Sequence, residues 1–436
     1  MPNSLGNKIK ELRKKLKLTQ TELAGNEMTK SMLSQIENNT ALPSMKNLHY
    51  LAAKLGKPAS YFLEDENYQE GLPVAEISEQ IRAAAKLIVN SNYNEALTSL
   101  ETIEEKYDID HDSKLYADFM TKYGECLFGL KNYKIAKEKI MESVTIYKNK
   151  YLYIDAAKNY LLLIDEPWNS FDYVNCMEIL DETRLIYQNS ILKDSAFEIE
   201  MLYNRAVLYA GLDQFAESIA TIEKALDISN STKIYYHADR LYKTMATLYI
   251  LMDRYEHFEE YLEKARKYAT FTEDSFELAC IDGVYGLYYN KVGEPEKAIS
   301  HLLTVLDASE LTRPIILSEL TKSHYLLGEY QKAIECTAQI EYPENTPFKY
   351  DYLDNYCSKI YEGLSLNMLG RSSEAITAVK TGIEKMEIVG VSKALALAYK
   401  TLSEIYSETG DYENAFSSLK KANDIEEMAK EKKLYY

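Results

Sequence analysis

A pattern about 40 residues long recurs along most of this chain, and few folds can accommodate it. Its clearest copies are YGLYYNKVGEPEKAISHLLTV (285–305), YLLGEYQKAIECTAQI (325–340) and LSEIYSETGDYENAFSSLKKA (402–422). Each reads as a helix, a turn written G-x-Y or N-Y, and a second helix with a small residue three positions on. Those positions fall at Ala96, Ala136, Cys176, Ser218, Phe258, Ala298, Ala333, Ala375 and Ala415, spaced by 40, 40, 42, 40, 40, 35, 42 and 40. A helical hairpin cannot bury its apolar face alone, so a regular series of nine predicts hairpins stacked in a solenoid. The copy at 151–187 departs most, because Glu166-Pro167-Trp168 interrupts its turn.

Composition agrees with an all-α chain. Glycine (16) and proline (9) are scarce among 436 residues, while tyrosine (38) is heavily used. Most tyrosines, such as Tyr209, Tyr249, Tyr289 and Tyr406, recur at repeat-defining positions, where core packing is the expected role. No run of about 20 apolar residues occurs, and the N-terminus has no apolar signal region, so a cytoplasmic protein is expected. The five cysteines (Cys126, Cys176, Cys280, Cys336 and Cys357) form no C-x-x-C pair and are expected as free thiols. The six histidines have no ligand spacing, and no Gly-rich phosphate loop or nucleophile elbow is present. Neither a metal, a cofactor nor an enzymatic activity is expected.

The first 60 residues follow other rules. Ile9, Leu12 and Leu16 repeat at helical spacing, with Lys8, Lys10, Arg13, Lys14, Lys15 and Lys17 around them as a basic outer face. Thr19 and Glu22 form a capping box, Gly25-Asn26 ends that short helix, and Thr29 caps another through Met32, Leu33 and Ile36. Two short helices across a tight turn make the helix-turn-helix arrangement that reads DNA. Pro43-Ser44 opens a further helix stopped by Gly56, and Pro58 to Leu63 closes a fifth. Charge divides the same way. The whole chain carries −18, but residues 1–64 hold ten Lys/Arg against five Asp/Glu (net +5), leaving −23 on the remainder. A small basic end on a large acidic body predicts nucleic-acid binding at that end alone.

These residues resemble the phage-repressor (XRE-type) helix-turn-helix domain across 4–63: Ile9, Leu12-Arg13, Leu18-Thr19-Gln20, Leu23-Ala24, Leu33, Ile36-Glu37, Pro43-Ser44, Leu48, Leu51-Ala52 and Leu55-Gly56. The resemblance implies that the second motif helix lies in the major groove. Lys30, Ser31 and Gln35 would face base edges with Met32 and Ser34 beside them, and Arg13, Gln20, Thr29 and Asn38 would meet phosphates. Glu37 would be a structural partner of Arg13. Glutamine can read adenine bidentately and lysine can reach guanine acceptors. One such domain covers a half-site, so a homodimer on a pseudo-palindromic double-stranded operator is implied.

The repeats resemble the tetratricopeptide repeat, with a longer period. The expected fold class is therefore all-α: a five-helix domain over 1–63, an acidic linker over 64–73, and a right-handed tetratricopeptide-like α-solenoid of about nine hairpins over 74–436. By the resemblance, the solenoid's concave groove would hold an extended peptide. Asn204 would bond its backbone, Arg240 and Lys243 would clamp a carboxylate, and Asn290, Lys322, Tyr361, Asn367 and Lys400 would extend the wall.

Both parts together resemble the RRNPP family of peptide-sensing quorum-sensing regulators. That resemblance implies a transcription regulator whose promoter binding is switched by a short signalling peptide in the groove. Two alternatives are a repeat domain that docks a response regulator for phosphorelay control, with Gln80 available at residues 74–190, and a phage-type repressor that needs no peptide.

Overall fold

The computed structural model describes residues 5–57, 59–63, 73–343, 346, 348–432 and 434. The expected linker at 64–73 lies outside them except for Pro73. The chain divides into two compact units, Met1–Phe119 and Met120–Tyr436. No strand occurs among the described residues.

The first unit begins with five short helices: α1 (Leu5–Lys15), α2 (Gln20–Ala24), α3 (Lys30–Glu37), α4 (Met45–Lys54) and α5 (Ala59–Leu63). Ile9, Leu23, Leu33, Leu48 and Leu51, all at most 1% exposed, form their common core with Ile36 and Phe62. Fixed caps give the short helices their ends. Ser44 Oγ accepts from Asn47 N–H to start α4, and Gly56, at φ +67°, follows its end. One expectation for α1 fails. Lys8 is buried rather than outward, because its ammonium reaches the Tyr61 carbonyl at 3.3 Å and lies 5.5 Å from that ring. The unit continues with α6 (Val74–Val89) and α7 (Tyr93–Lys106), and its boundary falls inside α8 (Lys114–Gly129).

The second unit runs on through α9 (Tyr133–Asn149), α10 (Tyr153–Leu161), α11 (Asp165–Asn169), α12 (Tyr173–Gln188), α13 (Ser195–Gly211) and α14 (Phe215–Thr232). Then follow α15 (Ala238–Leu251), α16 (Phe258–Phe271), α17 (Ser275–Lys291), α18 (Pro295–Val305), α19 (Arg313–Leu326) and α20 (Tyr330–Thr337). It ends with α21 (Lys349–Met368), α22 (Ser372–Met386), α23 (Lys393–Glu408) and α24 (Tyr412–Glu431). Together α6 to α24 make nine helical hairpins among the described residues. In the third, a 3-10 turn at Leu162–Ile164 breaks the first helix into α10 and α11, next to Pro167.

All nine repeat-marking residues lie on the second helix of a hairpin, and none is more than 7% exposed. Eight are its fourth residue. Phe258 is the first residue of α16, because the turn preceding that helix is not helical. Each hairpin turn also contains one left-handed residue: Ser91, Lys131, Phe171, Asp213, Asp253, Gly293, Gly328, Gly370 and Gly410, with φ between +58° and +79°. The turn therefore repeats as faithfully as the helices. Glycine holds this conformation freely, whereas an L side chain costs about 1–2 kcal/mol there, so the first five turns carry strain that the last four avoid.

Candidate DNA-reading helix and repeat groove

In the first unit the motif is assembled by two threonine caps and one glycine. Thr19 Oγ1 accepts from the Glu22 N–H, while the Glu22 carboxylate accepts from the Thr19 N–H at 2.7 Å. Gly25 turns the chain at φ +56°, and a β-carbon there would sit 2.1 Å from the Tyr50 hydroxyl. Thr29 Oγ1 then accepts from Met32 N–H at 3.1 Å and starts α3. That helix is sharply divided. Leu33, Ile36 and Glu37 are buried, whereas Lys30, Ser31, Met32 and Gln35 are exposed and Ser34 is half-buried.

Glu37 locks the back of α3. Its carboxylate accepts from Arg13 Nε at 2.5 Å, Arg13 Nη2 at 2.9 Å and Gln20 Nε2 at 2.8 Å. Burial by itself would raise its pKa, but the bonds from Arg13 and Gln20 outweigh burial and hold it below the ordinary glutamate value. Arg13 also donates to the Leu18 carbonyl, so its guanidinium is committed inside the domain, not free for a phosphate. Gln20 shares that commitment. Asn38 remains exposed and accepts from Lys10 at 3.3 Å. The outward set is therefore Lys30, Ser31, Met32, Gln35, Thr29 and Asn38.

In the second unit the first helices of successive hairpins bring the groove candidates together, but mostly in internal pairs. Arg240 Nε and Lys243 Nζ, on α15, reach the two oxygens of Glu277 on α17, at 3.0 and 2.6 Å. The Glu277 side chain is 3% exposed, so the expected carboxylate clamp already holds a carboxylate of its own chain. Asn290 is buried, donating to the Glu319 carboxylate at 2.6 Å and accepting from Ser323 at 2.7 Å. It does not line an open wall. Lys322 lies 6.0 Å over the Tyr361 ring, and Asn367 bridges Glu408 and Ser372. Lys400 is exposed.

Asn204 differs from these. Half-buried on α13, its amide makes no hydrogen bond among the described residues. Burial raises the Asp351 carboxyl to about 6 even though Lys243 pulls the other way. His237, in the left-handed conformation at the start of α15, is pushed down to about 4 by burial and Arg240. Glu277, Glu319 and Asp351 carry no mark in the sequence. In sequence they are ordinary helical acids, and their partners lie a full hairpin or more away.

Residues 6–67 match the helix-turn-helix domain family, and residues 199–232 and 396–427 match the tetratricopeptide repeat. The two repeat matches fall on the α13–α14 and α23–α24 hairpins. No curated protein matches the sequence. Among solved structures, a Rap protein complexed with competence and sporulation factor is 16% identical over 83% of this chain and 100% of that chain, with a TM-score of 0.55. The chain shares the fold of this Rap protein. The apo quorum sensor NprR from B. thuringiensis is 15% identical over 80% of this chain and 99% of its own, at TM-score 0.52. The Rap conjugation gene regulator of plasmid pLS20, solved with the Phr* peptide, is 15% identical over 82% and 96%, at TM-score 0.53. At these identities the likeness is one of architecture, and it assigns no role to any side chain of this chain.

Proposed function

We propose that this protein is a homodimeric transcription regulator whose operator binding is switched by a short signalling peptide held in the groove of its repeats. In this reading residues 1–63 bind DNA, 64–73 link, and 74–436 bind peptide and dimerise. The observation that carries it is α3: its inner face is locked by Glu37, while Lys30, Ser31 and Gln35 stand exposed with their side chains unpaired. A helix held rigidly from behind with polar side chains in front suits base-edge reading. The net +5 of residues 1–64 supports phosphate attraction at that end.

The peptide half draws on the fold likeness to the Rap–Phr* complex and on Asn204, the groove amide without a partner. Coupling would be linkage: a peptide that prefers one repeat arrangement shifts the spacing of two α3 helices in the dimer. No helix among the described residues is long and apolar enough to cross a membrane. The test is titration of fractionated cell-derived peptides with operator affinity followed in parallel. A peptide that binds without changing operator affinity would sink the switch.

The likeness to Rap proteins favours a second reading, in which the repeats dock a response regulator. Gln80 is a poor agent for it, because its amide already donates to Glu76 and to the Tyr107 hydroxyl. Pull-down with a phosphorylated receiver domain discriminates the two.

A further inference from the structure

One helix of the second unit belongs to two cores. Tyr352, Leu353 and Tyr356 of α21 pack with α22 and α23, as the eighth hairpin should. Two residues earlier, Tyr350 is 4% exposed inside a different cluster, built by α13, α14 and α15. The first turn of α21 thus reaches back four hairpins.

The contact joins an ion pair and hydrogen bonds to buried aromatic packing. Lys349 Nζ meets the Asp213 carboxylate at 2.5 Å, and the Tyr350 hydroxyl donates to its other oxygen at 2.7 Å. The Lys349 N–H donates to the Tyr173 hydroxyl at 2.9 Å. Tyr350 stands edge-on to Phe215, and Tyr352 edge-on to Phe171. Asp351, between them, is close enough to Lys243 of α15 and Cys280 of α17 for their charges to interact. The half-turn therefore spans from the α13–α14 turn to Lys243 of α15 and Cys280 of α17.

We propose that the first turn of α21 is an internal clasp that draws the second unit closed across its own groove and must release before a peptide enters. Its second half rests on the peptide reading above. The chemistry suits a contact meant to open. A buried ion pair gives less stability than aliphatic packing of the same size, and water can take over both charges once it opens. Asp213 sits in a repeat turn that the other hairpins close without it, so release leaves the hairpin itself intact.

Two variants of the full chain test this without any ligand. Asp213 has φ +61°, where asparagine is well tolerated, so Asp213→Asn removes charge without disturbing the turn. Tyr350→Phe removes one hydroxyl and keeps the ring. The single tryptophan, Trp168, stands 6.4 Å from Tyr173 and reports on the site by its fluorescence. Unchanged helical circular dichroism and cooperative melting identify folded variants.

The expected result is at least a tenfold rise in hydrogen exchange at 349–352 and a shifted Trp168 emission in both variants. Exchange and emission equal to the unaltered protein in both would overturn the clasp. With a randomised heptapeptide pool as probe, both variants should retain several-fold more peptide. If all three proteins retain equal amounts, the gating role is wrong. If none retains any while exchange rises, the peptide reading fails and the closing contact stands.

Discussion

The two candidate sites are built in opposite ways. On α3 the polar side chains marked by the sequence face solvent, and one buried acid behind them, Glu37, gathers the charge that would otherwise compete. In the groove the marked cations Arg240 and Lys243 face inward, and the buried acid Glu277 takes them both. A surface that must meet a large rigid polyanion can leave its donors to water. A channel cannot, because unpaired charges there are costly until a ligand arrives. Under the proposed function these two cations wait already paired, and a peptide carboxylate would have to compete with Glu277 for them.

The hardest blow to this contrast is Glu277→Ala. Removing it leaves two cations without their shared ion-pair partner in a mostly buried site and should cost about 3 kcal/mol of stability, read by urea unfolding of the second unit. A loss below about 0.5 kcal/mol would mean that Arg240 and Lys243 never depended on it. The folded variant should also gain affinity for peptides ending in a free carboxylate over their amides. Under the proposed function Glu277 would stand where that carboxylate binds.

Gln35→Ala probes the other side. It should cost about 1–3 kcal/mol of binding at one base pair of the operator, relaxing preference there. Domain stability should change by less than about 0.5 kcal/mol, since the side chain touches nothing that folds the domain. A stability loss comparable to that of Glu277→Ala would erase the distinction between exposed readers and internal partners.

How much of this was legible follows from where each partner lies. The capping box at Thr19–Glu22 and the cap at Thr29 span three residues, so sequence alone locates them. The nine repeat marks were equally plain, because each is decided by packing within its own hairpin. Even the Arg13–Glu37 pair was foreseen, although only through the family resemblance. What stayed hidden needs contacts between hairpins. Lys243 meets Glu277 34 residues on, and Lys349 meets Asp213 136 residues back. No local period records such pairs, so inward cations looked like waiting ligand clamps. Lys8 misled for a related reason: its long stem lets a lysine on an apolar face turn its charge to a carbonyl on α5.

Asp351 gives the second unit a pH signature opposite to that of Glu37 on α3. Its folded pKa of about 6 lies above the ordinary 3.8, so the folded state disfavours the charged form. Whatever stability the neutral carboxyl confers is complete below 3.8 and is lost as pH rises through 6. Asp351→Asn should therefore stabilise the second unit by about 1–2 kcal/mol at pH 7.5, allowing for partial exposure, and by much less at pH 4.5. Glu37 runs the other way, since its depressed pKa gives stability above the ordinary value of 4.5 that is lost as pH falls through the lower one. Melting curves across pH 3–8 should separate them, and equal gains for Asp351→Asn at both pH values would remove the groove acid from the argument.

The smallest effect is also the cleanest, because Thr29 carries two duties that different substitutions can divide. Its hydroxyl caps α3, and its position beside Lys30 would bring it against phosphate. Thr29→Ala should cost about 1 kcal/mol of first-unit stability by leaving the Met32 N–H uncapped. Thr29→Asp should not, because aspartate caps as well and its charge suits a helix N-terminus. On DNA the order reverses. The aspartate sets a negative charge toward the backbone and should weaken all operators alike by about tenfold or more, whereas alanine does so only as far as α3 frays. If Thr29→Asp binds DNA like the unaltered protein, the exposed end of α3 does not face phosphate. The free surface of this helix would then be open for some other reason than reading an operator.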